Sequence, residues 1–389
     1  MSRRRAATAL VVLAGLLGAV GSGAAHADAG GGAAAAVRPA AADAPGARAV
    51  EIVAGMTVEQ QAASIVMGHI STTDAAALTG YMTGAGRGGF ILMGANVPET
   101  ESGVQAVTAA IRAGQDPPPL IAIDQEGGDV SRLGWDDLPA SSTLKNASAA
   151  DVAQAFAARG SLVARAGANV NFGIVADTTA DTSSFIFGRS LGADPAGAAD
   201  RVAAAVAAEE PFVASTLKHF PGHGAAPGDS HELIPSTAKP LADWESTDAL
   251  PFIAGIDAGA SLLMFGHLSY TAVDAAPASL SPRWHEIARD DLGFDGVIVT
   301  DDLGMLQSTG LAEYADPVAN AVAAVAAGND LVLTIAHSSP DTAAQLASGI
   351  ADAVDSGAIP ADRLQDAAER VMALRLELAA SSAVWSPAD

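Results

Sequence analysis

The feature that most constrains the fold is a regular alternation of short apolar runs with longer stretches rich in Ala and Leu. Eight apolar runs recur from residue 49 onward, each ending in polar or small residues, at positions 63–68, 89–93, 120–124, 170–177, 213–219, 261–267, 296–302 and 330–335. Between them, in segments such as 151–166 and 195–208, apolar residues recur at helical spacing. Strands that are apolar along their whole length are typical of a parallel sheet covered on both faces.

Eight strand–helix units between residues 49 and 380 predict an α/β fold, a (β/α)8 barrel of the TIM type in a single domain. The alternative is an open doubly wound sheet, but no Gly-rich dinucleotide-binding fingerprint follows any of the runs. The segment 361–379 is predicted to be one closing helix, with no second domain after it.

Charged or polar residues stand at the ends of several runs. In a (β/α)8 barrel the active site lies at the carboxyl ends of the strands, and an unpaired charge is costly inside the barrel. Any one of these residues could simply begin a solvated loop, but the set predicts a common pocket. Its expected members are Asp124, Asp177, Lys218, His219, His267, Asp301 and Asp302.

The first 27 residues have the pattern of a secretory signal peptide. Arg3, Arg4 and Arg5 precede an apolar run over residues 6–20, and Ala-His-Ala at 25–27 is a small-residue cleavage site. The apolar run is shorter than the roughly 20 residues that cross a bilayer, so a retained membrane anchor is the less favoured alternative. We therefore expect a secreted, extracytoplasmic protein. Residues 28–48, rich in Ala, Gly and Pro, are predicted to form a linker outside the fold.

The charge balance and the absence of cysteine exclude several functions. There are 20 basic and 44 acidic residues, a net charge of −24, which disfavours nucleic acids and anionic membrane surfaces as partners. The chain has no cysteine, which rules out disulfides, thiolate zinc sites and thiol nucleophiles.

Three of the eight histidines lie in one short segment. Residues 218–224 read Lys-His-Phe-Pro-Gly-His-Gly, and Asp229 begins an Asp-Ser-His run. The Pro and Gly residues favour a long flexible loop over a helix. One interpretation is a metal site, although His219 and His223 lack a helix that would align them as ligands. Another is acid–base catalysis, in which a turn brings Asp229 to His231 and raises the pKa of the imidazole. A third interpretation is structural: a His–Asp hydrogen bond stabilises the loop and has no catalytic role.

Two consecutive acids, Asp301 and Asp302, end the seventh run. Because side chains alternate along a strand, one of them can face the pocket while the other takes a structural role. A carboxylate in a dry pocket beside cations is a suitable nucleophile for a sugar carbon. The alternative role, capping of the next helix, suits Asp302 better than Asp301.

These segments together resemble those of family 3 glycoside hydrolases, in the single-domain β-N-acetylglucosaminidase (β-N-acetylhexosaminidase) subgroup. Residues 218–231 are similar to the subgroup's K-H-F-P-G-H-G signature, which ends in D-S-H. Further similar segments are D-Q-E-G-G at 124–128, G-R-S-L-G-A-D-P at 188–195, F-D-G-V-I-V-T-D-D-L-G-M at 294–305 and M-T-V-E-Q at 56–60. The resemblance covers about residues 50–375.

The resemblance implies a single (β/α)8 barrel and a retaining mechanism through a glycosyl–enzyme intermediate. Asp301 matches the nucleophile, and His231 with Asp229 matches an acid/base dyad on a mobile loop. The subsite that holds a terminal N-acetylglucosamine is matched by Asp124, Arg132, Arg189, Lys218 and His219. The implied function is exo-acting release of that sugar from cell-wall fragments or chitooligosaccharides. The expected enzyme is a monomer that uses no metal and no organic cofactor.

Four other functions stay open at this stage. They are a β-glucosidase-like enzyme, a phosphorolytic relative, a zinc-dependent hydrolase and a non-catalytic exported sugar-binding protein. The intact Asp301, Asp229 and His231 argue against the last of these. A histidine acid/base would not repel an anionic acceptor as a carboxylate does, so phosphorolysis is compatible with the residues.

The chain departs from the family's pattern on the loops around the expected site. Ala225 and Ala226 replace the usual D-T, and residues 178–187 lack the usual Asn- and Pro-rich sequence. Asp129 stands where an Arg usually follows D-Q-E-G-G, and Ala95 stands where Arg is common. The missing guanidinium predicts weaker binding of an acidic or peptide-bearing leaving group.

Overall fold

Eight parallel strands close into a barrel in the computed structural model, which describes residues 45–84 and 86–382. The barrel strands are β1 (Val66–Gly68), β2 (Gly89–Leu92), β3 (Leu120–Ile123), β4 (Val170–Val175), β5 (Ala214–Phe220), β7 (Leu262–Phe265), β9 (Val297–Asp302) and β10 (Leu331–Leu333); β6 (Ser236–Thr237) and β8 (Ser269–Tyr270) form a separate pair. Each barrel strand lies beside its predecessor in the chain, and β10 closes on β1. The (β/α)8 prediction is confirmed, and the open-sheet alternative is wrong.

The predicted apolar runs coincide with the barrel strands, with a correction at the first run. Its first residues end α2 (Val58–Ser64), and only Val66–Gly68 form β1. The helix begins at a capping box, in which Thr57 and Gln60 satisfy each other's backbone amides. It ends in three buried residues, so the apolar run is divided between a buried helix end and a strand. Periodicity alone does not separate these two.

The folded domain extends slightly beyond the predicted limits of 49 and 380. α1 (Pro45–Ala54) begins inside the predicted linker, because its Ala49 and Val53 are fully buried and the helix packs against α14. α14 (Ala361–Ser382) is the predicted closing helix. The predicted signal peptide and the linker up to residue 44 lie outside the described residues. Across 45–84 and 86–382, no helix is both long and apolar enough to span a membrane.

Helices connect the successive strands around the outside of the barrel. The two helices predicted from periodicity are observed as α6 (Ala149–Arg165) and α7 (Pro195–Glu209). A capping box at Ser148 begins α6, and α7 begins with Asp194 as its cap and Pro195 at its first position. The other helices are α3 (Ala75–Thr83), α4 (Glu101–Arg112), α5 (Ser141–Leu144), α8 (Leu241–Glu245), α9 (Ala249–Asp257), α10 (Pro282–Glu286), α11 (Gly304–Ser308), α12 (Pro317–Ala327) and α13 (Thr342–Asp355).

A cluster of buried aromatic side chains packs around Phe220, at the end of β5, the strand that also carries Lys218 and His219. The ring of Phe220 lies 4.7 Å from Phe265, 5.7 Å from Trp284 and 5.8 Å from Trp244, measured between centroids. These four side chains are fully or almost fully buried. The Trp244 indole also donates a 2.7 Å hydrogen bond to the carbonyl of Pro221. Large buried rings with a satisfied polar atom therefore fix the end of β5 and the start of the loop after it.

A buried carboxyl group lies behind β3 and β4. Glu209, at the end of α7, has no exposed surface, and its Oε1 accepts a 2.7 Å hydrogen bond from Asn171 Nδ2. Asn171 in turn bonds both the backbone amide and the carbonyl of Gln125, just after β3. Glu209 Oε2 has no hydrogen-bond partner among the described residues. Burial raises the pKa of Glu209 to about 8, so this carboxyl group is protonated at neutral pH.

We expect Glu209→Gln to stabilise the protein at alkaline pH relative to the parent. A carboxyl group with a raised pKa in the folded state favours folding below its unfolded pKa, and this advantage is lost as the pH rises through its folded pKa. Since one pKa unit is worth about 1.4 kcal/mol, the rise from 4.5 to about 8 means that the gain of the variant should approach roughly 5 kcal/mol above about pH 8. Urea unfolding across the pH range measures it.

The exposed Glu245 on α8 offers a matched control for this substitution. Glu245→Gln should show no such pH-dependent gain, because this side chain is exposed to water and not buried as Glu209 is. An unfolding free energy of Glu209→Gln that runs parallel to that of the parent at all pH values would contradict a protonated Glu209.

Candidate active site

The polar residues at the strand ends meet in one pocket at the carboxyl side of the barrel. Asp124 follows β3 and Asp177 lies just after β4, while Lys218 and His219 belong to β5. Asp301 lies in β9. An ion pair joins Asp124 to Lys218 and a hydrogen bond joins Asp177 to His219, and Asp301 lies near enough to Lys218 for the ammonium to lower its pKa. The prediction of a common polar pocket is therefore consistent with the structure.

Lys218 and Glu126 form the buried centre of this pocket. The Lys218 ammonium lies 2.9 Å from Asp124 Oδ1 and 2.7 Å from Glu126 Oε1. Arg132 approaches Asp124 from the other side, at 3.6 Å. The Glu126 carboxylate also receives a bidentate pair from Arg189, at 2.7 and 3.0 Å. These contacts unite four of the predicted substrate-binding residues with one residue that the sequence did not single out.

The charge states of this centre follow from its geometry. Burial acts to raise the pKa of Glu126, but the adjacent Lys218 and Arg189 outweigh it and lower the pKa to about 2. Burial acts to lower the pKa of Lys218, but the carboxylates of Asp124 and Glu126 outweigh burial and raise it. The pocket therefore holds fixed, fully ionised donors and acceptors at neutral pH.

A polar turn brings Arg132 back to Asp124. The Oε1 atom of the buried Gln125 accepts from the backbone amides of Arg132 and Leu133, at 2.9 and 3.0 Å. Gly127, in the same turn, has φ of 86°, and a Cβ there would collide with the Arg159 guanidinium. In the D-Q-E-G-G segment, Gln125 thus holds the turn through its hydrogen bonds to backbone amides. Gly127 is needed because only glycine fits this backbone conformation and the space beside Arg159.

The second part of the pocket is a histidine pair organised by Asp177. His219 Nδ1 lies 2.6 Å from Asp177 Oδ2, and Asp177 Oδ1 accepts from the backbone amide of His223 at 2.6 Å. His219 Nε2 lies 3.4 Å from an Arg189 nitrogen, which can only donate. His219 is therefore neutral, with its proton on Nδ1. Burial holds the pKa of His219 well below 6.5 and raises that of Asp177 to about 6.

His223 and Phe185 form the side of the pocket beneath the long loop. His223 is buried, and neither of its ring nitrogens has a hydrogen-bond partner within the described part of the chain. Its ring centroid lies 4.6 Å from that of Phe185 and 6.0 Å from that of His219. Phe185 also lies edge-on to His231, at 6.3 Å. Phe185 therefore links the buried histidines to the exposed one.

The two consecutive acids at the end of β9 have different roles. The Asp302 carboxylate accepts from the backbone amides of Gly304, Ile335 and Ala336, at 2.9, 2.8 and 2.8 Å, and is thus occupied by the loop after β10. Asp301 accepts only from the amide of Asp302, at 2.8 Å, among the hydrogen bonds of the described chain. The expectation that Asp302 would take the structural role agrees with this geometry.

Asp301 is the acid that remains available in the pocket. Burial acts to raise its pKa, but the backbone amide of Asp302 and the Lys218 ammonium lower it below its ordinary value. His267 is itself neutral and fixed: its Nε2 lies 2.9 Å from the Asp302 carbonyl, and its Nδ1 lies 2.7 Å from a serine hydroxyl. Asp301 is therefore an ionised carboxylate that accepts from the Asp302 amide and lies near the Lys218 ammonium.

The loop after β5 carries an exposed imidazole–carboxylate pair. His231 Nδ1 lies 2.6 Å from Asp229 Oδ1, and the His231 backbone amide donates to the same oxygen at 3.0 Å. The side chains of His231 and Asp229 are 60% and 39% exposed. As predicted, a turn brings the carboxylate to the imidazole and the loop is not a continuous helix. The proton on Nδ1 leaves Nε2 free to exchange one with a ligand.

Nowhere in residues 45–84 and 86–382 do three or more His, Cys, Asp or Glu side chains meet closely enough to hold a metal ion. The segment that suggested such a site is instead divided between two environments. His219 and His223 are buried around Asp177, while His231 is exposed with Asp229.

The sequence analysis missed Glu126 and Phe185 as site residues, and it considered His223 only as a possible metal ligand. Glu126 follows a strand end by three positions, and its two partners stand 63 and 92 positions further along the chain. Phe185 lies in the segment that departs from the family's pattern. The Glu of D-Q-E-G-G was the available signal, because a glutamate beside two glycines in a polar turn rarely serves packing.

We expect Glu126→Gln to destabilise the fold strongly, because it leaves Lys218 and Arg189 with one carboxylate fewer in a buried site. Removing one partner of a buried ion pair costs about 3–5 kcal/mol. Glu101→Gln is the matched control, since it breaks a glutamate–arginine pair with Arg165 whose side chains are 33% and 40% exposed. An exposed pair is worth at most about 1 kcal/mol. Equal losses of unfolding free energy in the two variants would contradict the central role of Glu126.

Comparison with known proteins identifies the family. The glycosyl hydrolase family 3 N-terminal domain matches residues 53–374. The β-hexosaminidase of Chromobacterium violaceum is 37% identical over 260 residues, which cover 63% of this chain and 71% of that protein. The β-hexosaminidase of Pseudomonas aeruginosa PAO1 is 38% identical over 252 residues, with coverage of 63% and 74%.

Solved structures agree with this match. A family 3 β-N-acetylglucosaminidase from Paenibacillus superposes with a TM-score of 0.79 at 29% identity, covering 86% of this chain and 65% of that one. The β-N-acetylhexosaminidase of Beutenbergia cavernae superposes with a TM-score of 0.72 at 29% identity, covering 83% and 99%. The resemblance read from the sequence motifs is confirmed, and the chain belongs to glycosyl hydrolase family 3, in its β-N-acetylhexosaminidase subgroup.

Proposed function

We propose that the protein is an exo-acting, retaining β-N-acetylglucosaminidase that releases terminal N-acetylglucosamine from cell-wall fragments or chitooligosaccharides. The observation that carries this proposal is the buried ionic centre of Asp124, Lys218, Glu126 and Arg189 beside the available carboxylate of Asp301. The names of the relatives support the same activity. We further propose that the protein acts outside the cytoplasm as a monomer.

The ionic centre suits the hydroxyl groups of one terminal sugar. Each hydroxyl both donates and accepts, so it matches sites that present carboxylate oxygens beside ammonium or guanidinium groups. Asp124 and Arg132 keep partly exposed atoms at the edge of the centre, whereas Glu126 is buried behind them. Asp124 and Arg132 would thus contact the sugar, and Glu126 would hold Lys218 and Arg189 in position for it.

In the first chemical step Asp301 attacks the anomeric carbon. Its lowered pKa keeps it ionised, and the Asp302 amide and neighbouring donors fix its direction. Closure of the loop after β5 would bring His231 over the glycosidic oxygen, where its protonated Nε2 protonates the leaving alcohol. Asp229 stabilises the imidazolium, and its own pKa is lowered by the hydrogen bonds and charge of His231 despite partial burial.

In the second step water replaces the leaving group. His231, now neutral, removes a proton from that water, which attacks the anomeric carbon and displaces Asp301. Two displacements at one carbon retain its β configuration. Inorganic phosphate is the alternative acceptor, because a neutral imidazole does not repel an anion. Formation of N-acetylglucosamine 1-phosphate when phosphate is added would show that route.

We expect Asp301→Asn to abolish turnover of 4-nitrophenyl β-N-acetylglucosaminide, because an amide cannot form the glycosyl ester. Asp295→Asn is the matched control, since Asp295 is an exposed aspartate at the opposite end of β9. Release of nitrophenol measures both, beside the corresponding glucoside. Undiminished activity of Asp301→Asn would refute its role as nucleophile, and preference for the glucoside would refute the proposed substrate.

We expect His231→Ala to slow poor leaving groups far more than good ones. An N-acetylglucosaminide with an alkyl leaving group needs protonation and should lose roughly 10²–10⁴ in rate, while one with a nitrophenolate leaving group should lose much less. Glu232→Ala, which removes the exposed neighbouring acid, should leave both rates near those of the parent. Equal slowing of both substrates by His231→Ala would contradict an acid role.

A further inference from the structure

Phe185, on the loop after β4, lies between the exposed imidazole and the ionic centre. Its ring centroid is 6.3 Å from that of His231 and 4.6 Å from that of His223, and both pairs are edge-on. The guanidinium of Arg189, a member of the ionic centre, lies over the same ring at 5.7 Å from its centroid. One half-buried ring therefore contacts side chains of both parts of the site.

The segment that carries Phe185 is fixed to the barrel. The adjacent Ile186 is fully buried, and its carbonyl accepts from the backbone amide of Arg189 at 3.0 Å. The carbonyl of Phe187 accepts from the Lys145 ammonium. Packing and hydrogen bonds next to Phe185 thus fix the backbone that presents its ring.

The loop that carries His231 is held mainly at its ends. Hydrogen bonds to the rest of the fold hold its start at Pro221 and its end at Pro235. In the described chain, every hydrogen bond of residues 224–234 stays within the loop. A cavity of about 470 Å³ lies between this part and the loop after β4, and Phe185 borders it. Among the described residues, Phe185 is the only one whose aromatic ring contacts that of His231.

Asp229 cannot set the position of His231 relative to the barrel. It fixes the tautomer of the imidazole through a 2.6 Å contact, but it belongs to the same loop and moves with it. A proton donor must come within about 3 Å of the atom that it protonates. Since the ionic centre holds the sugar from the barrel side, the group that positions His231 must also be fixed to the barrel.

We propose that Phe185 is a positioning residue, which holds the His231 imidazole beside the ionic centre in the orientation that proton transfer requires. This inference rests on the proposed function, since it assigns how the acid/base group is oriented. An edge-on ring pair sets an orientation as well as a place, because the charge distribution of an aromatic ring favours that geometry.

Phe185→Leu tests the proposal, because leucine keeps an apolar side chain but removes the ring. For an N-acetylglucosaminide with an alkyl leaving group we expect kcat/KM to fall roughly three- to tenfold, the effect of losing one aromatic pair. The value for the 4-nitrophenyl compound should change little, and the dissociation constant of N-acetylglucosamine, measured by calorimetric titration, should stay near that of the parent. Phe185→Tyr, which keeps the ring, should behave as the parent does.

Phe187→Leu is the matched control. Phe187 lies two positions along the same segment, and its ring lies against the Lys145 ammonium and not against a histidine. The ratio of kcat/KM between the two compounds should equal that of the parent. A loss in Phe185→Leu that is equal for both compounds and accompanied by weaker sugar binding would show that the ring acts through Arg189, which would overturn the proposal. An equal change of the ratio in Phe187→Leu would also overturn it.

A double variant tests whether Phe185 acts through His231. In the His231→Ala background, Phe185→Leu should lower kcat/KM for the alkyl compound no further, because the group that it positions is gone. A further loss as large as that in the parent background would contradict the proposal.

Hydrogen exchange in the full chain separates failure of this inference from failure of the proposed function. If the parent cleaves neither compound, the proposed function fails, and exchange of the amides of residues 224–234 still decides whether Phe185 positions the loop. Faster exchange there in Phe185→Leu than in the parent and in Phe187→Leu would support the inference, and unchanged exchange would reject it. Exchange in the barrel strands reports that each variant is folded.

Discussion

The burial of paired charges at the barrel mouth is the constraint on which the site depends. Lys218, Glu126 and Arg189 are almost completely withdrawn from water, and each ion would cost several kcal/mol if it were unpaired. They come from β5, from the turn after β3 and from the loop before α7, so they meet only when the barrel is closed. The packing that closes the barrel, including the aromatic cluster behind β5, therefore also sets the geometry of the pocket.

This arrangement separates buried, fixed imidazoles from the exposed imidazole for which we propose proton transfer. His219 and His267 are buried, and their partners fix each of them as one neutral tautomer. Such groups can orient a ligand but are poorly suited to exchange protons with solvent. His231 is different, because it is exposed on a loop and, among the residues that the structure describes, its ring has only Asp229 as a hydrogen-bond partner. A proton donor that must later accept a proton from water needs this access.

Much of the fold and part of the site could be predicted from the sequence, for a clear physical reason. Eight buried parallel strands leave an apolar run each, and charges at their ends must converge, so the barrel and its polar mouth were both foreseeable. The start of β1 could not be predicted, because one apolar run contains both the buried end of α2 and the strand. Glu126 and Phe185 were missed because their roles depend on loops that meet only in space, and no local pattern encodes such a meeting.

Asp302 shows why the seventh barrel strand ends in two acids. Its carboxylate binds backbone amides on both sides, one at the start of α11 and two in the segment after β10. Burial raises its pKa to about 6 despite these donors, so it is ionised at neutral pH and accepts from all three. The same side chain thereby connects the backbone next to Asp301 with the segment after β10. Asp301 and the segment after β10 are thus held in a fixed relative position by one buried carboxylate, while the ionic centre is held by separate ion pairs among residues from β5, the turn after β3 and the loop before α7.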